Sequence, residues 1–141
     1  MYLLDTNVVS ELRKESSGQA NKSVVKWARQ HIKPSFFISV MTLYELEIGV
    51  LRILRKDNSQ GQNLRHWLDH QVLPFFQNRI LSVTPEIVLC CAKLHIPNPS
   101  PERDAMIAAT ALTHNMTIVT RNIKDFHGTG AKLLNPWETE L

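Results

Sequence analysis

The chain lacks several things that would narrow its role at once. No apolar run approaches the roughly 20 residues that span a bilayer, and the N-terminus has no basic region followed by an apolar stretch and a cleavage site. A membrane-embedded or exported role is therefore not expected, and the cytoplasm is the default location. Cysteine is scarce: Cys90 and Cys91 are the only two, adjacent in an apolar, helix-like run. Neighbouring cysteines rarely bridge each other, so both are expected as reduced core residues. There is no Gly-rich phosphate loop of the Walker type, which argues against an NTPase. Internal repeats and low-complexity segments are also missing. Charge of one sign is not in large excess, with 16 Lys and Arg against 13 Asp and Glu. The net charge of +3 is compatible with a nucleic-acid partner but does not argue for one alone.

What is present is an ordinary globular composition, 43% hydrophobic and 21% charged over 141 residues. That length suits one domain spanning 1–141, since a domain takes about 100–200 residues. Short β-branched or apolar runs at 2–4, 35–40, 79–83, 117–120 and 132–134 alternate with helical patterns. Strand alternating with helix predicts an α/β fold of three layers, a mostly parallel central sheet with helices on both faces.

The segment from Ser100 to Asn122 anchors this reading. Ser100 is expected to cap a helix, with Pro101 in its first position. Asp104 then falls in the first turn, where the helix dipole favours a carboxylate. Ala105, Ala108, Ala109 and Ala111 allow close approach to a sheet, and Thr117–Thr120 reads as a central strand. Asp5 ends the first strand just where a helix follows, with Thr6 and Asn7 as candidate caps. Glu45 lies off the apolar stripe of Leu43, Leu46, Val50 and Leu54, with Gly49 one turn on. A mid-helix glycine costs about 1 kcal/mol relative to alanine, so something is expected to come close there, either a packing neighbour or a substrate. Each acid alone also admits a plain reading, as a helix cap or a helix-start charge.

Right-handed crossovers place the ends of the first strand and of the 117–120 strand on one edge, where open α/β sheets keep their ligands. Asp5 and Asp125 (or Asn122) come from strand ends, Asp104 and Glu45 from flanking helices. Carboxylates meeting within about 5 Å repel by roughly 3 kcal/mol per pair at an effective dielectric of 20. Summed over four, this rivals a domain's whole stability of about 5–15 kcal/mol. Such a cluster takes up protons or binds cations, and an all-oxygen set with no competing Cys/His set selects Mg²⁺ or Mn²⁺. One or two such ions on a mildly basic protein suit phosphodiester hydrolysis.

Three weaker signals remain. Lys22, Lys26, Arg29 and Lys33 are expected as a basic stripe on one helix whose other side carries Val25, Ala28 and Ile32; the stripe is either a solvated face or a contact for RNA phosphates. His66 and His70 sit one turn apart, with an exposed face favoured over a metal site. The predicted hairpin over 56–77, rich in apolar and aromatic residues, hints at a protein interface.

Four stretches together resemble the PIN-domain ribonucleases, and within them the toxins of VapBC-type toxin–antitoxin pairs. These are Leu3-Leu4-Asp5-Thr6-Asn7, Thr42 to Gly49, Arg103 to Ala111, and Val119-Thr120-Arg121-Asn122 through Asp125-Phe126. The resemblance implies an endoribonuclease with Asp5, Glu45 and Asp104 as its acidic triad, Asp5 and Asp104 being the metal ligands. It further implies single-stranded or structured RNA as substrate, homodimerisation and inhibition by a cognate antitoxin. One position departs from the family pattern: the fourth acid often directly follows Thr-Arg, and here Asn122 stands there, with Asp125 three residues on. Asp125 is the expected fourth acid and Asn122 a water-positioning residue. Thr6 is expected to hold Asp5 or a water. The alternative is a PIN fold kept as a non-catalytic RNA- or protein-binding module.

Overall fold

A computed structural model describes residues 1–138. Five strands form one sheet: β1 (Tyr2–Leu4), β2 (Phe36–Ser39), β3 (Ile80–Leu81), β4 (Thr117–Val119) and β5 (Lys132–Leu134). Their spatial order is β3-β2-β1-β4-β5, and every pairing is parallel. The first strand is thus central, with Leu3 opposite Ile118 and Leu4 opposite Val119 on β4.

Strand alternation sends the two leucines to opposite layers. Leu4 and Val119 join Val8, Trp27, Val50 and Leu68 on one face. Leu3 and Ile118 join Ile107, Ala108, Ala111 and Phe126 on the other. The first face is covered by α1 (Thr6–Arg13), α2 (Lys22–Arg29), α3 (Val40–Lys56) and α4 (Asn58–Trp67). The second is covered by α7 (Glu102–His114), with α6 (Pro85–Leu94) outside it. The alanines of α7 divide their work. Ala108 and Ala111 meet the sheet, whereas Ala105 and Ala109 meet Ile87 and Cys91 of α6.

Several local expectations are corrected. The turn of the predicted hairpin is confined to the extended Asp57: α4 starts at Asn58, and Gly61 lies inside it, so close to α3 that a Cβ there would sit 2.5 Å from the Leu54 Cα. Of the two alternatives at Gly49, a packing neighbour is not found, since among the described residues nothing lies within 4 Å of a Cβ there. The helix after α4 widens through Leu68–Val72 and ends in a short α5 (Leu73–Phe75). Much of its apolar surface is used within the chain: Leu68, Val72 and Phe76 are core, with the half-buried Leu64, Trp67 and Phe75 packed against them. The α3–α4 crossing is further clamped by Arg65, bidentate to Glu47 at 2.7 Å on both nitrogens.

In α2 the buried positions are Val24 and Trp27, with Val25 half-buried and Ile32 beyond the helix and 74% exposed. Lys22, Lys26 and Arg29 do share the exposed side, but Lys33 belongs to a separate turn, Lys33–Ser35. Arg29 is bound to Glu15 at 2.7 Å, so part of the stripe's charge is already answered within the chain. His66 and His70 are exposed, their ring centroids 4.4 Å apart. Among the described residues no helix is long and apolar enough to cross a membrane.

Candidate metal and active site

The carboxyl edge of the sheet is where the acids gather. The Asp5 N–H continues the ladder to the Val119 carbonyl at 2.9 Å, which fixes Asp5 beside the end of β4. Asp5 itself caps α1: its Oδ1 accepts from the Thr6 N–H at 2.8 Å. The cap expected from Thr6 or Asn7 is made by the acid because the preceding strand delivers the carboxylate to the helix start. Its other oxygen, Oδ2, accepts from the Thr120 hydroxyl at 2.8 Å and from Asn7 Nδ2 at 3.3 Å.

Thr120 is fully buried. Its single proton goes to Asp5, while its oxygen accepts from the Asn122 N–H at 3.0 Å and from Asn7 Nδ2 at 3.3 Å. Asn7 Oδ1 in turn accepts from the Arg121 N–H at 3.1 Å. Short polar side chains from the beginnings of two distant segments therefore lock one carboxylate in place.

Glu45 comes from the second turn of α3. Thr6 Oγ1 donates to Glu45 Oε1 at 2.8 Å. The Thr6 hydroxyl thus holds Glu45, not Asp5, which has the Thr6 backbone N–H instead. Arg103 reaches the other Glu45 oxygen at 3.5 Å. Asp104 sits in the first turn of α7, as expected. The cap before it differs: Pro101 precedes the helix without a side-chain cap, and the Ser100 hydroxyl donates backward to the Leu94 carbonyl at 3.2 Å.

The electrostatics join the four acids. Asp104 is pushed up to about 6, first by burial and then by the negative charges of Asp125, Asp5 and Glu45, with Arg103 opposing. Asp5, only 7% exposed, is also raised. Burial is the main cause, against the hydrogen bonds from Thr120, Thr6 and Asn7, and Asp125 adds to the rise. Asp125 lies in the turn Ile123–Phe126 just after β4, exposed to solvent. It is the nearest in effect of the other acids on Asp104. Asn122 is exposed as well, tied by its backbone N–H to Thr120 and by its carbonyl to the Asp125 N–H at 3.0 Å.

The donor set is oxygen only, three of its members are buried or half-buried, and burial together with neighbouring negative charge raises the proton affinity of Asp5 and Asp104. That chemistry fits a hard divalent cation. The acids are looser than expected: no three of them close to within 4.8 Å of one another. This spacing suits Mg²⁺, which keeps several of its waters and takes one or two carboxylates directly.

A tighter set exists elsewhere, contrary to expectation. Cys91 and His95, one turn apart on α6, meet Glu102 at the start of α7 with their donor atoms within 4.8 Å. The i, i+4 spacing of Cys91 and His95 was the legible signal for it. Its histidine is already spoken for, because His95 Nδ1 accepts the Ser100 N–H at 3.1 Å. A neutral imidazole that accepts at Nδ1 carries its proton on Nε2. That nitrogen, 3.6 Å from Glu102 and buried without a hydrogen-bond partner, then has no lone pair for a metal. Two residues of the acidic site had no role assigned from sequence, Thr120 and Arg103, although both lie within quoted motifs, and Asn7, expected as a cap, instead ties Asp5 to Thr120 and Arg121.

Residues 2–131 match the PIN domain family model. The chain is 30% identical over 144 residues to the VapC ribonuclease Y4jK of Sinorhizobium fredii, covering 98% of this chain and 99% of the relative. The crystal structure of FitAcB from Neisseria gonorrhoeae superposes with a TM-score of 0.88 at 31% identity, covering 99% of this chain and 100% of that one. A toxin–antitoxin complex from Klebsiella pneumoniae contains a chain similar at a TM-score of 0.70 and 26% identity, with 99% and 100% covered. With a parallel five-stranded sheet, an acidic carboxyl edge and a family match over nearly its whole length, the chain belongs to the PIN-domain family.

Proposed function

We propose that the protein is a divalent-metal-dependent endoribonuclease toxin, held inactive in the cytoplasm by a cognate antitoxin. The observation that carries this is Asp104: a half-buried carboxyl facing three other acids, its affinity for protons raised to about 6. A charge so poorly compensated is useful where a cation is meant to sit. The ribonuclease and toxin assignments rest on the similar VapC ribonuclease and on the toxin–antitoxin complex of the same fold. A homodimer, alone or joined by the antitoxin, is the assembly we expect.

In this reading Asp5 and Asp104 would hold one or two Mg²⁺ ions, with Mn²⁺ as the alternative. A cation there supplies charge neutralisation at the attacked phosphate and makes a water more acidic. Thr120, Asn7 and the Thr6 N–H keep the Asp5 oxygens aimed, so the ligand need not reorganise when a cation arrives. Glu45 is held by the Thr6 hydroxyl and Arg103, and with Asp125 orients the attacking water. Asp125, being exposed, takes the proton and releases it to solvent. Asn122 positions water beside it.

The test is purified protein with labelled RNA, in Mg²⁺ or in EDTA. Fragments in Mg²⁺ only, lost in a folded Asp104→Asn variant, are expected. Undiminished cleavage by that variant would sink the mechanism. RNA binding with no cleavage under any divalent cation would leave a non-catalytic module.

A further inference from the structure

The rim of the acidic edge carries a feature that the hydrolysis of a phosphodiester does not use. Tyr44 directly precedes Glu45 on α3 and is 54% exposed. Arg103, directly preceding Asp104 on α7, lies over its ring at 5.6 Å from the centroid. The same guanidinium touches Glu45 at 3.5 Å. One side chain therefore bridges the acid and the aromatic ring, which puts the ring within a nucleotide's reach of the acids. Across the site, Arg121 lies over Trp137 at 5.3 Å while its backbone holds Asn7. Each flank of the edge thus presents a guanidinium paired with a π-surface.

An aromatic ring left half in water beside the acidic edge buries little and contributes little to packing. A single-stranded nucleic acid supplies what such a ring lacks, because every base has a π-face and stacking tolerates any sequence. Arg103 also has donors to spare. A guanidinium carries five N–H groups, and one loose contact to Glu45 leaves the others for a phosphate.

We propose that Tyr44, held in place by Arg103, is the stacking platform for an unpaired base next to the bond that is cut, and so selects single-stranded over paired RNA. This rests on the ribonuclease reading above. A paired base is already stacked within its helix and cannot lie on the ring without being extruded. A purine, with its larger face, is favoured at that position.

The experiment compares wild type, Tyr44→Ala and Tyr44→Phe. Binding of a fluorescein-labelled single-stranded RNA and of a fully paired hairpin is followed by anisotropy in EDTA, and cleavage is followed separately in Mg²⁺. Tyr44→Ala is expected to weaken single-strand binding about tenfold, Tyr44→Phe to stay within about twofold of wild type, and hairpin binding to move in neither. One abasic position, scanned along the strand, is expected to cost wild type about tenfold at a single place and to cost Tyr44→Ala nothing further there. Equal abasic losses in both proteins, or unchanged single-strand affinity in a folded Tyr44→Ala protein, overturn the platform. A changed oligomeric state with unchanged RNA affinity also overturns it, assigning the tyrosine to a protein contact. Because binding is read without turnover, a wild type that cleaves while Tyr44→Ala binds normally sinks only the platform. A wild type that never cleaves sinks the ribonuclease reading, and the binding arm still decides on Tyr44.

Discussion

Two clusters of titratable groups lie at opposite ends of the Glu102–Asp104 turn, and the closer-packed of them is the poorer cation site. Cys91, His95 and Glu102 come within 4.8 Å, yet Ser100 has filled the histidine's acceptor and burial raises the proton affinity of the Cys91 thiol. The acids at the sheet edge are wider apart. There the hydrogen bonds converge on Asp5, while Asp104 keeps a raised affinity for protons that Arg103 only partly relieves. What marks a site for a cation is uncompensated charge on pre-aimed oxygens, more than proximity of donors.

The contrast is sharpest in cleavage. Asp104→Asn should lower the rate on the order of 10²–10³-fold, in the range of losing one preorganised electrostatic group, with the circular dichroism spectrum kept. Cys91→Ala should cleave within about twofold of wild type per folded molecule. Equal losses from the two would erase the distinction. Thr120→Val keeps the shape of a fully buried residue and removes the donor to Asp5. It should weaken Mg²⁺ or Mn²⁺ binding, measured by calorimetry, about 10–100-fold.

The pH dependence of stability should differ next. A carboxyl whose folded value is raised, as Asp104 is from 3.8 to about 6, favours the folded state while protonated. Its contribution is full below about pH 4 and lost as pH rises through 6. Metal-free protein should therefore melt higher at pH 5 than at pH 7, and Asp104→Asn should flatten that slope. A slope that survives in Asp104→Asn assigns the effect to other groups. Smallest of all should be Glu102→Gln, within about 0.5 kcal/mol in urea unfolding, because Glu102 is exposed and 3.6 Å from its histidine.

How much of this could be read from the chain depends on the range of the interaction. The mostly parallel sheet, the helix layers and the placing of Asp5, Glu45, Asp104 and Asp125 about one edge follow from hydrophobic period and crossover handedness, both of which are written locally, whereas the strand order β3-β2-β1-β4-β5 is not. Partners inside the site are not. Thr6 adjoins Asp5, yet its hydroxyl serves Glu45, because a helix-start side chain points toward the neighbouring α3 that sequence does not place. Val24 and Trp27, not Val25, face the core because the helix phase is set by Trp27 wedging against Phe36 and Tyr2, their ring centroids 5.4 and 5.2 Å away. Gly61 is a crossing point of α3 and α4 that its sequence context does not mark, since glycine serves loops and close helix contacts alike. The Cys91–His95 pair was passed over because its third member, Glu102, arrives from across a proline-rich connector.

Asp5 is aimed by Thr120, a residue 115 positions later, and β1 has no neighbour on that side until β4 exists. A polypeptide still being synthesised, or one cut short before residue 117, holds its first acid in a helix cap with no hydroxyl to aim it and no Asp125 beside it. Such a fragment therefore lacks the assembled acidic edge. The complete set of acids, and the hydroxyl that aims the first of them, exists only in a nearly full-length chain.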